Sequence, residues 1–460
     1  MVPLHYQSLT QVCRDIKSGA RSSLDVTHYI LARIEALEPD LAAFALVAPE
    51  RALRKAEQED ERRRRGEPLG LLHGVPLAIK DLLYTDDMVT ASGTRVMADF
   101  VPEYTATVVT KLEQAGAVIV GKTQLTEGAF GNHHPDITPP RNPYDPGSWP
   151  GVSSSGSGVA VAAGMSYAAL GSDTGGSIRF PSACCGLVGI KPTYGRVSKH
   201  GAFPLADSLD HIGPMTRSVE DAARVLSAIA GHDPLDPNSA DVPLENYLQS
   251  AADLSGWRVG VDWRYATSGV DDALVAVQRE VIERCVDLGA QIVDVSIPDS
   301  YATLVAGWPI TCAVECAAAH REYFPRMAHL YGPALRELIE LGLQIPGDRY
   351  DALELSRAQF QMELEVLFEG IDVLVAPPMP VTTPAADVME AGYDDEAHAP
   401  FINFTAPFDY SGHPTLSLPV RLSAAGLPLG VQLIAGAFRE DRLIHAGRAL
   451  ETCWEPLPRP

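Results

Sequence analysis

Positive charge is scarce in this sequence. Its 36 lysines and arginines face 59 aspartates and glutamates, a net charge of −23, which opposes binding to nucleic acid phosphates or to anionic membranes. Cysteine is sparse as well: the seven are odd in number and widely spread, which argues against a disulfide framework and fits a reducing cytoplasm. None of the 13 histidines falls in an HExxH or other metal-ligand spacing, and His133 and His134 are adjacent, so they cannot share a helical face. Neither a metal nor a cofactor is implied. No apolar run reaches membrane-spanning length. The N-terminus, MVPLHYQSLTQVCRDIKSG, has no basic segment followed by an apolar core, which argues against export.

What is present is an ordinary globular composition, 46% hydrophobic and 21% charged over 460 residues, able to bury a large core. Ser8 and Ser23 read as N-caps of two helices, the second carrying Val26, Ile30, Ile34 and Leu37 on one face. A further helix is expected over 48–65, its basic end Arg62 to Arg65 complementing the helix dipole before Gly66. From Leu69 onward short β-branched runs (117–120, 257–261, 291–295, 373–376) alternate with helical patterns, which argues for an α/β sheet covered on both faces. The segment 377–400, PPMPVTTPAADVMEAGYDDEAHAP, reads as a long loop, and 138–150 as another. The reading is of one domain over 1–460, with a helical segment of about 8–65 packed on it.

The chemistry concentrates in 151–198, GVSSSGSGVAVAAGMSYAALGSDTGGSIRFPSACCGLVGIKPTYGRVS, and in GVPLAIKD upstream. Two hydroxyl clusters stand 24 residues apart. In Gly175-Gly176-Ser177 the glycines permit backbone conformations that side chains forbid, so successive N–H groups can converge on one developing anion. Ser177 is therefore the candidate nucleophile. Ser153, Ser154 and Ser155 offer hydroxyls that both accept and donate a proton, as a relay must. Lys80 is the candidate base. An exposed lysine has a pKa near ~10.4, leaving well under about 1% neutral at pH 8; lowering it by roughly 2–3 units takes about 3–4 kcal/mol, which burial supplies. The apolar run Val75, Pro76, Leu77, Ala78, Ile79 before Lys80 reads as an interior strand. Asp81 follows, pointing to the opposite face and so free not to neutralise the lysine.

At these residues the chain resembles the amidase signature family of serine hydrolases. LHGVPLAIKD, ATVVTKLEQAGAVIVGKT (106–123), the serine-glycine block and GHPTLSLPVRLSAAGLPLGVQLIAG (412–436) are similar to family segments in family order. The resemblance implies a mixed central β-sheet sandwiched by helices. It maps the family's catalytic lysine onto Lys80, its bridging serine onto Ser153, its acylated serine onto Ser177 and its backbone oxyanion hole onto Thr174, Gly175, Gly176 and Ser177. It further implies a cis peptide leading into Ser153, although Gly151-Val152 stands where the family usually has Gly-Gly. Ser154 is a supporting residue, and Asp173 and Arg179 flank the nucleophile loop as structural partners.

Other features have plainer readings. GAVIVGKT (116–123) matches the phosphate-loop pattern, but 117–120 is itself a strand, preceded by helix over 107–115, and Lys122 lies just after it, so nucleotide binding is not expected. The helix expected after the serine cluster extends over 158–172. His73 is a packed or hydrogen-bonding neighbour of the lysine strand. Cys184, Cys185, Cys312 and Cys316 read as core residues. The expected activity is C–N hydrolysis of carboxylic amides, with aryl amides, esters and carbamates (urethanes) within the same acyl chemistry. The alternative is the amidase component of a tRNA-dependent amidotransferase, from whose usual pattern QLTEGAFGNHHPD departs. A third possibility, a non-catalytic binding relative, is disfavoured by the presence of Lys80, Ser153 and Ser177 together. The expected partner is a small amide or carbamate, with no nucleic acid and no membrane, acting on a monomer or homodimer. Pocket-forming segments are expected in 128–150, 305–345 and 377–411.

Overall fold

The computed structural model describes residues 2–249, 253–390 and 401–460. Eleven strands among them form one mixed sheet: β1 Phe44–Val47, β2 Pro76–Lys80, β3 Val118–Thr123, β4 Ala168–Asp173, β5 Val188–Lys191, β6 His211–Thr216, β7 Arg258–Val261, β8 Gln291–Asp294, β9 Val373–Ala376, β10 Thr415–Leu422 and β11 Pro428–Ile434. Their order is β1-β3-β2-β4-β6-β5-β10-β11-β9-β7-β8. β2 runs parallel to both β3 and β4, whereas β4, β6, β5, β10, β11 and β9 pair antiparallel in turn. Every residue of β2, β3 and β4 is buried, as expected for parallel strands covered on both faces. Helices pack against this α/β sheet, among them Ser155–Ala162 on β2, β3 and β4 and Glu440–Glu451 on β10.

The N-terminal helices Leu9–Ser18, Ser23–Leu41 and Pro49–Arg64 join this body through buried polar ties. Asp221 accepts from the N–H groups of Leu9 and Thr10 and from the Thr10 hydroxyl. Asp60 accepts from the N–H groups of Ser23 and Leu24. Ser8 caps its helix as expected, but the second cap is Ser22, whose hydroxyl takes the Asp25 N–H; Ser23 is already inside the helix and donates to the Gly74 carbonyl.

Four further expectations are corrected. The small-residue run after the serine cluster is helical only over Ser155–Ala162; Gly164, at φ +70, turns the chain and Ala168–Asp173 becomes β4. Small apolar residues fit a buried helix and a buried strand equally, so periodicity alone does not separate them. Lys122 lies within β3, not after it, and its buried ammonium stands 3.5 Å from Asp81. The segment 377–400 is not loop throughout, since Ala386–Glu390 is helix; its part from 391 onward lies outside the described residues. Finally, the helix Tyr301–Ala319, with a mean hydropathy of 1.4, is long and apolar enough to cross a membrane. Thr303, Gly307, Pro309, Thr311 and the charged Glu315 interrupt its apolar run. Half of it is buried in this fold, against helices Pro333–Gly342, Gly347–Glu369 and Ala406–Tyr410.

Candidate active site

The site forms where β2 and β4 end side by side. Lys80 is the last residue of β2, and its side chain is fully buried. Its Nζ lies 2.7 Å from Ser153 Oγ, 2.9 Å from Ser154 Oγ and 2.9 Å from Ser172 Oγ. All three neighbours are neutral hydroxyls. Burial therefore lowers the amine to about 7, against smaller opposing pulls from Asp173 and Asp210. Asp81 turns away from it toward Lys122.

The hydroxyls are not equivalent. Ser154 donates its proton to the Ser172 carbonyl at 3.1 Å and accepts the Ser172 N–H, so toward Lys80 it acts only as an acceptor. Ser153 Oγ has Lys80 as its hydrogen-bond partner among the described residues. A neutral amine has two N–H donors and one lone pair. It can donate to Ser154 and Ser172 while its lone pair receives the Ser153 proton. The peptide Val152–Ser153 is cis, as the resemblance implied.

Ser177 and Ser153 line one cavity, together with Gly175, Trp308, Phe180 and Leu205. The loop carrying Ser177 is held from behind. The Asp173 carboxylate accepts from the N–H groups of Gly176, Ile178 and Arg179, and from the Arg179 guanidinium at 3.0 and 2.8 Å. Burial pushes the Asp173 carboxyl up, but Arg179 and these N–H donors outweigh it and hold it far below the usual carboxylate range. Arg179, itself fully buried, also pairs with Asp409 and donates to the Thr405 carbonyl.

These ties set the directions of the loop's peptides, because N–H and C=O point oppositely in a planar trans unit. The Thr174 carbonyl accepts from Trp308 Nε1 at 2.9 Å, so the Gly175 N–H faces the other way. The Gly176 carbonyl accepts from the Phe180 N–H at 2.7 Å, which turns the Ser177 N–H outward in the same manner. The Gly175 carbonyl accepts from Thr405 Oγ1, and the Gly176 N–H is given to Asp173 at 2.6 Å. Of the four expected donors, the Gly176 N–H is thus taken up by Asp173, whereas the Thr174, Gly175 and Ser177 N–H groups have no acceptor among the described residues. Thr174 is anchored by its hydroxyl to Asp210. Both glycines are demanded by packing. A Cβ on Gly175 would lie 2.7 Å from the Trp308 ring, and one on Gly176, at φ +131, 2.4 Å from the Phe180 ring.

Sequence reasoning missed Ser172, Trp308 and Thr405. Ser172 carried a signal, since it directly precedes Asp173 on the strand feeding the loop. The other two come from 134 and 230 residues away; they fall in the segments 305–345 and 377–411 expected to form the pocket, but nothing in the sequence singled them out there. His73 meets Glu59 at 2.8 Å. Cys184, Cys185, Cys312 and Cys316 are buried thiols, and no group of metal-ligating side chains occurs among the described residues.

A family model described as Amidase matches residues 25–444. The chain is 45% identical over 444 residues to "Putative amidase AmiD" of Mycobacterium tuberculosis, covering 96% of this chain and 93% of that one. It is 40% identical over 477 residues to a glutamyl-tRNA(Gln) amidotransferase subunit of Moorella thermoacetica, covering 98% and 97%. The solved structure of a peptide amidase in complex with the competitive inhibitor chymostatin superposes with a TM-score of 0.84 at 30% identity, covering 99% of each chain.

Proposed function

The chain belongs to the amidase signature family, and from that premise we propose that it hydrolyses carboxylic amides through an acyl-enzyme on Ser177. The observation that carries this reading is the buried Lys80 amine held by three hydroxyls, with no carboxylate in hydrogen-bond contact among the described residues. Neutral Lys80 takes the Ser153 proton as Ser153 takes that of Ser177, whose oxygen attacks the carbonyl carbon. The oxyanion is met by the Gly175 and Ser177 N–H groups, a donor of this kind contributing about 3–4 kcal/mol. Protonated Lys80 then returns the proton through Ser153 to the leaving nitrogen, without which an amine anion would have to depart. Water attacks the acyl-enzyme by the same relay and releases the acid. Aryl amides, esters and carbamates share this acyl chemistry, and Asp173 and Arg179 act by positioning the loop.

A second reading, a component of a tRNA-dependent amidotransferase, draws support from the near full-length similarity to the Moorella thermoacetica protein; glutaminase activity appearing only with a partner protein would carry it. The first reading is tested by treating the protein with a sulfonyl fluoride and locating the adduct by mass spectrometry. The adduct is expected on Ser177 and absent from Ser177→Ala protein. Modification elsewhere, with full activity in Ser177→Ala, overturns the proposal.

A further inference from the structure

Two cavities meet in front of Ser177. The inner one is walled by apolar side chains apart from Asn132 and the two serines. The outer one, of about 980 Å³, shares Phe130, Asn132, Trp149, Val152 and Met389 with it, so the two lie side by side and a molecule at Ser177 that outgrows the inner cavity has the outer one as its neighbour. The ionisable residues of the outer wall are Glu127, Glu337, Glu390, His133 and His134; no lysine or arginine lines it among the described residues. His133 is kept neutral at pH 7, its imidazole lowered by burial to about 4, and so adds no positive charge there.

Glu127 differs from the other two glutamates. It is 2% exposed, whereas they are on the surface. Its two oxygens share a single donor, the Gly332 N–H, at 3.1 and 2.9 Å. A carboxylate offers about four acceptor positions, so most of its capacity is unmet, an unfavourable state for a buried charge. No basic side chain lies within ion-pair distance among the described residues, and burial raises its carboxyl to about 7. Gly332 keeps the place open on that side, since a Cβ there would stand 2.5 Å from Glu127 Oε2. The protein has thus buried a carboxyl group in the cavity wall with no cation beside it among the described residues, so a ligand cation placed there would stabilise its charged form.

We propose that the substrate is an amide bearing a basic group, an ammonium or a guanidinium, at the end that reaches the outer cavity, and that Glu127 is the residue that selects it. This rests on the hydrolase reading above. The inner cavity takes the apolar stretch next to the scissile bond, along Phe130, Trp149 and Trp308. The distal cation then meets Glu127 in a charge-assisted hydrogen bond out of water, where such contacts are strongest. The net charge of −23 favours approach of the same ligand from a distance.

The test uses nitroanilides of equal chain length ending in ammonium, methyl or carboxylate, placed in one set on the acyl side and in another on the aniline side. In the set that matches the geometry, kcat/KM for the ammonium member is expected to exceed that of the methyl member by about tenfold or more, the factor for one charge-assisted hydrogen bond, with the carboxylate poorest. Glu127→Gln is expected to lower the ammonium-to-methyl ratio by about tenfold. An ammonium member no better than the methyl member in either set, or an unchanged ratio in Glu127→Gln, overturns the proposal. Calorimetric binding of the same pairs to Ser177→Ala protein decides it without turnover: tighter binding of the ammonium member supports it and equal binding overturns it. Failure of every member to be hydrolysed, with Ser177 resisting sulfonylation, would instead sink the hydrolase reading.

Discussion

For single residues, the proposed relay turns on which hydroxyl around Lys80 has a proton to pass on. Ser154 has given its own to the Ser172 carbonyl, whereas Ser153 has Lys80 as its hydrogen-bond partner among the described residues and keeps its proton to give. Ser153→Ala is therefore expected to lower kcat/KM far more than Ser154→Ala, although both oxygens lie within 3 Å of the same nitrogen. Lys80→Met should lower kcat by about 10²- to 10⁴-fold, the range for loss of a general base. Steady-state kinetics on one activated anilide checks both, and equal losses in the two serine variants would contradict the assignment. That Lys80, Ser153 and Ser177 gather in one place was legible, because their residue types, order and flanking glycines suit one chemistry. The unequal hydrogen bonding of Ser153 and Ser154 was not, because it depends on where the backbone of β4 presents the Ser172 carbonyl.

The loop from Asp173 to Arg179 works as an element whose peptide planes are fixed from outside. Asp173 gathers three N–H groups and a guanidinium, while Trp308 and Thr405 hold two carbonyls. Asp173→Asn breaks a buried ion pair and leaves Arg179 partly uncompensated, so a loss of about 3–5 kcal/mol in unfolding free energy is expected by denaturant titration. Gly176→Ala forces a methyl toward the Phe180 ring at a positive φ. Its expected signature is a fall in kcat of roughly tenfold or more through displaced N–H donors, with the fold retained by circular dichroism. Flanking partners such as Asp173 and Arg179 could be read from adjacency in sequence. The strand nature of 168–173 could not, because a run of small apolar residues has no periodicity that distinguishes helix from strand, and only Gly164 marks the break.

Across the whole molecule, one sheet brings β2, the strand that ends in Lys80, beside β4, the strand that leads to Ser177. Short β-branched runs announced an α/β sheet, but strand order was not legible, since pairings such as β11 with β9 and β5 with β10 join segments far apart in sequence. The N-terminal helices are tied to this body by Asp221, which meets two N–H groups and a hydroxyl of residues 9 and 10. Asp221→Ala leaves those buried donors unmet at about 1–3 kcal/mol each; a lower Tm and earlier proteolytic release of the first helices are expected, and unchanged resistance would contradict that role. The same enclosing sheet and helices lower the Lys80 amine to about 7. A lysine works as a base only when neutral, so reactivity must fall as pH drops through that value. The most direct measurement is the rate of Ser177 sulfonylation as a function of pH. The account predicts a rise centred on about pH 7 that disappears in Lys80→Met; a rate independent of pH, a rise centred near ~10.4 as for an exposed lysine, or an unaltered profile in Lys80→Met would contradict it.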